Sequence, residues 1–90
     1  MGMKIGICGL GYFGVCFTRL FQAHPLVDEV VLADVIPERA SEEAKRLGVR
    51  RVLGSLDDLC RSDVDAIAIF SQRQLHASHS LQALAAGKHV

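Results

Sequence analysis

Gly9-Leu10-Gly11-Tyr12-Phe13-Gly14 stands between an apolar run, Met3-Lys4-Ile5-Gly6-Ile7-Cys8, and a stretch from Tyr12 to Ala23 in which Phe13, Cys16, Phe17, Leu20 and Phe21 recur at steps of three and four. The first run reads as a short strand and the second as a helix. A G-x-G-x-x-G turn joining the two has a mechanical reading. Gly9 permits a tight turn, Gly11 lets the main chain approach a pyrophosphate, and Gly14 lets the helix pack closely on the strand. The free N–H groups expected at Tyr12 and Phe13, with the positive end of the helix dipole, favour an anion there without any lysine or arginine. Asp34 follows Gly14 by twenty positions, where a carboxylate reads the ribose of a dinucleotide.

The rest of the chain alternates in the same way. Val30-Val31-Leu32-Ala33 is continuously apolar, as in a strand covered on both faces, and Asp34 closes it. Pro37 suits a first helical turn. Glu38, Glu42 and Glu43 lie early and Lys45 and Arg46 late in the helix that follows, matching its dipole, and Gly48 is the expected stop. Arg51-Val52-Leu53 makes a brief third strand, and Ser55-Leu56-Asp57-Asp58 carries the Ser-x-x-acid pattern of a capping box, opening a short helix that brings Leu56 and Leu59 to the core. Ala66 to Phe70 reads as a fourth strand and Ser71-Gln72-Arg73-Gln74 as a helix start, with Ser71 as a simple cap. Ala77, Leu81, Leu84 and Ala85 then form the apolar face before Gly87. Alternating strands and helices with right-handed crossovers predict an α/β domain, a Rossmann-like parallel sheet in the order 3-2-1-4 with helices on both faces. His89-Val90 begins a fifth strand that is cut short. The fourth strand is therefore expected to lack a neighbour, and its open edge invites a homo-oligomer.

Composition sets bounds. Ninety residues make one small domain, which buries roughly 60 to 65% of the surface its unfolded chain exposes. Half the residues are hydrophobic and 22% charged, and ten basic residues balance ten acidic ones. No net positive field draws nucleic acid or anionic lipid from a distance, so a phosphate partner must be held locally. The apolar runs are too short for a membrane span and the start lacks a signal-peptide layout, which makes a cytoplasmic setting the expectation. Cys8, Cys16 and Cys60 are an odd count without C-x-x-C spacing and read as reduced structural thiols.

Asp34 decides between the two nicotinamide dinucleotides. A carboxylate accepts the ribose hydroxyls of NAD but faces the 2′-phosphate of NADP across like charges, so NAD is favoured over NADP. Arg39, one turn into the next helix, can swing toward a 2′-phosphate, whereas its plain reading is a solvated residue pairing with Glu43. His76 and His79 lie three apart on one helix, a spacing that can share a metal. No carboxylate or cysteine accompanies them, so no metal site is assigned. The plain reading of His76 is a helix-start histidine bonding solvent or Ser80, and His24 before Pro25 reads as a surface residue.

Asp65-Ala66-Ile67-Ala68-Ile69-Phe70, Leu75-His76 and Ala83-Leu84-Ala85-Ala86-Gly87-Lys88-His89-Val90, taken with the early glycine turn, resemble the N-terminal domain of the Gfo/Idh/MocA oxidoreductases along the whole length. The resemblance implies an NAD(P)-dependent dehydrogenase acting on sugars, cyclitols and their derivatives. It makes residues 1–90 a truncated dinucleotide-binding domain whose C-terminal substrate domain is absent. It also places His76 by the active-site cleft. Where the family has Thr-Pro-Asn, this chain has Ser71-Gln72-Arg73, so Ser71 keeps a hydroxyl beside the cofactor while Arg73 replaces a neutral amide. The family continues past Lys-His-Val into a Glu-Lys-Pro segment whose lysine transfers a proton. Lys88 is not that lysine, and no catalytic residue is assigned. The cofactor-binding set is Gly9, Gly11, Tyr12, Phe13, Gly14, Asp34, Arg39, Ser71 and His76. The residues alone leave two further readings open: a non-enzymatic dinucleotide-sensing module, and an S-adenosylmethionine site, which also uses a glycine-rich turn and an acid. The x-x spacing of the third glycine and the helix it opens favour a pyrophosphate.

Overall fold

The computed structural model describes residues 2–90. Its elements are β1 (Met3–Cys8), α1 (Tyr12–Ala23), β2 (Val27–Ala33), α2 (Pro37–Leu47), β3 (Arg51–Leu53), α3 (Leu56–Arg61), β4 (Ala66–Ile69), a 3-10 turn (Arg73–Leu75) and α4 (His76–Ala85). The strands form one parallel sheet in the order β3-β2-β1-β4, as the alternation of elements predicts. Side chains leave a strand alternately to its two faces. Accordingly Ile5, Ile7, Val30 and Leu32 join Ala40 and Ala44 of α2 in one core, while Cys8, Val31 and Ala33 join Leu56 and Leu59 of α3 and Ala83 of α4 in the other. Helices therefore cover both faces.

Local signals account for the boundaries. Ser55 caps α3 by accepting a 3.2 Å bond from the Asp58 amide. Pro37 opens α2, and Gly48 ends it with φ +71°, a left-handed conformation that favours glycine. Gly6 faces α3, where a Cβ would stand 2.7 Å from Leu59 Cδ2, so the Leu59 side chain packs into the space that a larger residue would take.

Both apolar helix faces differ from expectation. In α1 the buried residues are Gly14 and Thr18, while Phe13, Phe17 and Leu20 are exposed, Phe13 by 67%. The helix comes so near the sheet that small side chains occupy the line of contact and the large ones flank it. Thr18 satisfies its buried hydroxyl on the Gly14 carbonyl at 2.7 Å, and Phe17 stacks on Phe70 with ring centroids 5.3 Å apart. In α4 only Ala83 is buried, and Leu81 and Leu84 face outward. The helix start also shifts: Ser71 caps nothing, and the 3-10 turn intervenes.

The expectation that the fourth strand lacks a neighbour needs a correction. A parallel bridge joins Ala66 to His89: the Ile67 amide donates to the His89 carbonyl at 2.8 Å and the His89 amide to the Asp65 carbonyl at 3.1 Å. His89 thus lies beside β4 and covers part of its edge. Among the described residues no helix is long and apolar enough to cross a membrane.

At the amino ends of the strands an ion network ties four segments. Lys4 Nζ lies 2.6 Å from Asp63 Oδ2, and Arg51 Nη2 lies 2.8 Å from Asp63 Oδ1 and 3.0 Å from Glu29 Oε1. The bonds from Lys4 and then Arg51 hold the Asp63 carboxyl at about 2, and the same contacts raise Lys4 and Arg51.

Leu59, fully buried against Gly6, is among the largest fully buried side chains of its layer. Leu59→Ala is expected to cost about 2–5 kcal/mol, measured by urea unfolding. Because the folded Asp63 carboxyl sits below its ordinary 3.8, its contribution is present above that pH and is lost as pH falls through about 2. The thermal midpoint of the wild type should therefore drop across that window more steeply than that of Asp63→Asn.

Candidate functional site

In an open parallel sheet, ligands lie outside the carboxyl ends of the strands where the strand order reverses, here between β1 and β4. A cleft of about 680 Å³ occupies that position, lined among others by Gly11, Ile36, Arg39, Asp57, Ser71 and His79. A second cleft of about 580 Å³ lies at the amino ends, around Lys4, Asp28, Glu29 and Arg50, and shares no residue with the first. Only the first combines the glycine turn with a switch point.

The turn is built as its glycines require. Gly9 has φ +99°, and a Cβ there would stand 2.7 Å from the Phe70 carbonyl group. A Cβ on Gly14 would overlap the Gly9 carbonyl. Gly11 is different: a Cβ on it would meet nothing within 4 Å, so what its missing side chain keeps clear is the cleft itself. Gly11 is also the N-cap of α1 and offers no side-chain cap. The amides of Tyr12, Phe13 and Gly14 in the first turn are left without helix partners and mark a place for an anion. The rings of Tyr12 and Phe13 are exposed.

Asp34 is buried to 1% side-chain exposure, and its carboxylate is already filled. Oδ2 accepts from the Leu10 amide at 2.8 Å and from Arg39 Nε at 3.0 Å; Oδ1 accepts from the Ile36 amide at 2.9 Å and from Arg39 Nη2 at 3.0 Å. Arg39 is 43% exposed and does not pair with Glu43, which Arg46 holds at 2.8 Å instead. The carboxylate thus fastens the glycine turn to the β2–α2 loop and draws Arg39 across its outer side.

At the far wall, α4 grips the residue leaving β4. His76 Nε2 donates to the Ser71 carbonyl at 2.6 Å, rather than meeting Ser80, and His79 Nδ1 lies 2.7 Å from Ser71 Oγ. His79 is a site residue that the spacing to His76 suggested only as a metal partner. The remaining signal, a hydroxyl at a strand end eight positions before an imidazole, is too common to single out. Gln82 adds a bond to Asp57 across the same cleft. Cys8 also lines it, but burial, followed by the Asp34 charge, pushes its thiol up to about 11, so it remains a thiol near neutrality. Lys88 is committed elsewhere: its ammonium donates to the Ser62 and Val64 carbonyls at 2.8 Å each, near the amino end of β4. Of the expected set, Gly11, Arg39 and Ser71 line one cleft, while Gly9, Gly14 and the buried Asp34 shape the turn beside it and His76 holds Ser71 by its carbonyl.

The chain from residue 3 to 90 matches the model of an oxidoreductase family with an NAD-binding Rossmann fold. Inositol 2-dehydrogenase 3 of Saccharopolyspora erythraea is 32% identical over 91 residues, all of this chain and 27% of that protein. Scyllo-inositol dehydrogenase of Lactobacillus casei, solved with NAD(H) and scyllo-inositol, superposes with a TM-score of 0.87 at 34% identity, covering 100% of this chain and 27% of the other. A levoglucosan dehydrogenase solved with NADH and levoglucosan gives 0.89 at 26% identity, over 99% of this chain and 26% of that one. The chain thus spans about a quarter of the length of the relatives it matches.

Removing Asp34 strips acceptors from two main-chain donors. Asp34→Ala is expected to destabilise the nucleotide-free protein by about 2 kcal/mol or more, at about 1–3 kcal/mol per unsatisfied buried donor. An unchanged urea midpoint would show that the carboxylate does not hold the turn.

Proposed function

The chain belongs to the Gfo/Idh/MocA oxidoreductases, and on that premise we propose that it is the part of a sugar- or cyclitol-type dehydrogenase that holds NAD across the carboxyl ends of β1, β2 and β4. The observation that carries this reading is the clear space at Gly11 beside first-turn amides that have no helix partner, inside the cleft that Arg39 and Ser71 line. A pyrophosphate resting there takes hydrogen bonds from the Tyr12, Phe13 and Gly14 amides and sits at the positive end of the α1 dipole.

The adenosine end lies toward Asp34 and Arg39. Arg39, 43% exposed, occupies one acceptor site on each oxygen of Asp34, and with the guanidinium displaced those sites would be open to ribose hydroxyls. The Leu10 and Ile36 amides keep the carboxylate in place throughout. The nicotinamide end lies toward Ser71 and the wall formed by α4. When bound, the nicotinamide supplies hydride transfer, and the protein's part is to hold and orient it. Among the described residues no lysine at the cleft offers proton transfer, since Lys88 is tied at the opposite end of β4. The substrate class follows from relatives whose names specify inositol and levoglucosan dehydrogenation. A cytoplasmic setting belongs to the same reading, supported by three cysteines that form no disulfide.

Fluorescence titration with NADH, NADPH and S-adenosylmethionine tests the reading. NADH is expected to bind with a Kd of roughly tens of micromolar, about 6 kcal/mol, and S-adenosylmethionine not to bind. Failure of NADH to bind overturns the proposal, as does tighter binding of S-adenosylmethionine.

A further inference from the structure

His79 belongs to no motif that the dinucleotide reading uses, yet it makes the closest side-chain contact to Ser71 on the cleft wall. Its Nδ1 lies 2.7 Å from Ser71 Oγ, and both residues line the cleft that contains Gly11. Ser71 is also fixed by its main chain, because its carbonyl accepts from His76 Nε2 at 2.6 Å. With backbone and hydroxyl oxygen both held, the one remaining freedom of Ser71 is the direction of its hydroxyl proton. We infer that His79 sets this direction and thereby couples dinucleotide affinity to pH, an inference that rests on the proposed cofactor site.

The chemistry follows from the two protonation states of the imidazole. A neutral ring with a bare Nδ1 accepts the Ser71 proton, so the hydroxyl offers the cleft only lone pairs. A protonated ring carries a proton on Nδ1 and must donate it to Oγ. The Ser71 proton is then released toward the cleft, where it can be donated to a ligand oxygen. An anionic dinucleotide is an acceptor along its pyrophosphate and on its ribose and carboxamide oxygens. It therefore binds best to the state with His79 protonated, and binding draws one proton from solvent.

Other ionisable groups face the same space. Asp57 of α3, Cys8 of β1 and Arg39 of α2 line the cleft, Arg73 lies in the 3-10 turn, and His76 stands one turn before His79 on α4. Among these side-chain types only imidazole ordinarily changes charge between about pH 5 and 8. His76 is the competing source, but its partner is a carbonyl, which offers no proton to redirect. His24 and His89 lie elsewhere, at the end of α1 and beside the start of β4.

Calorimetric titration of the 90-residue protein with NAD from pH 6 to 8, in buffers of differing ionisation enthalpy, provides the test. The wild type is expected to bind about threefold or more tightly at the acid end, with proton uptake, within the tenfold per pH unit that a single linked proton allows. His79→Gln keeps hydrogen-bonding capacity without titrating and is expected to bind with no pH slope; His76→Gln is expected to keep the slope. Ser71→Ala leaves the His79 charge in place and removes the hydroxyl, so the slope should vanish there too. A slope that survives in Ser71→Ala would assign the effect to charge alone and overturn the inference. Equal slopes in the wild type and His79→Gln overturn it as well, as does a wild type with no slope. If NAD binds at no pH, the cofactor site itself fails and the inference with it.

Discussion

The Asp34 carboxylate lies beneath the glycine turn with each oxygen bonded twice, to the Leu10 and Ile36 amides on the inside and to the Arg39 guanidinium on the outside. A charge this deeply withdrawn from water is tolerable only where hydrogen bonds and a counter-charge replace hydration. Supplying them joins the β1–α1 turn, distant in sequence, to the end of β2 and the first turn of α2. The same group that would meet a ribose thus also holds the amides of α1 where a pyrophosphate would rest. Binding geometry and local folding cannot be separated at this point of the molecule.

The second constraint is how close the helices come. Gly14 has no room for a side chain against the Gly9 carbonyl, Gly6 lies under the Leu59 side chain, and Ala83 is fully buried where α4 meets the core. This nearness turns Phe13, Phe17 and Leu20 of α1 and Leu81 and Leu84 of α4 outward, while Phe21 still packs on the core as expected. It also brings the start of α1 against the carbonyl of Gly9, so that the helix points its unpartnered amides at the cleft rather than past it.

These two constraints explain how much was legible in the sequence. The strands were, because Ile5, Ile7, Val30 and Leu32 alternate with Cys8, Val31 and Ala33, and a parallel sheet covered on both faces demands that pattern. Stops and caps at Ser55, Pro37 and Gly48 were legible because each acts through its own backbone or nearest neighbours. The buried faces of α1 and α4 were not. Hydropathy ranks Phe13 and Leu81 above Gly14 and Ala83, whereas the distance between helix and sheet, which no local pattern records, reverses the order. In the site, the glycine spacing and the acid at the end of β2 could be read directly. The partners chosen by side chains could not: Arg39 prefers a buried carboxylate across a turn to Glu43 on its own helix, and Ser71 turns to His79 rather than capping α4.

The ion network of Lys4, Asp63, Arg51 and Glu29 sits at the amino ends of the strands, the cleft at their carboxyl ends, and among the described residues none lines or joins both. The sheet lies between them. A domain arranged in this way can drift in charge at one pole, toward acid tolerance or toward heat resistance, while selection holds the other pole fixed. Sequences that share this cleft are therefore free to differ widely at the opposite end.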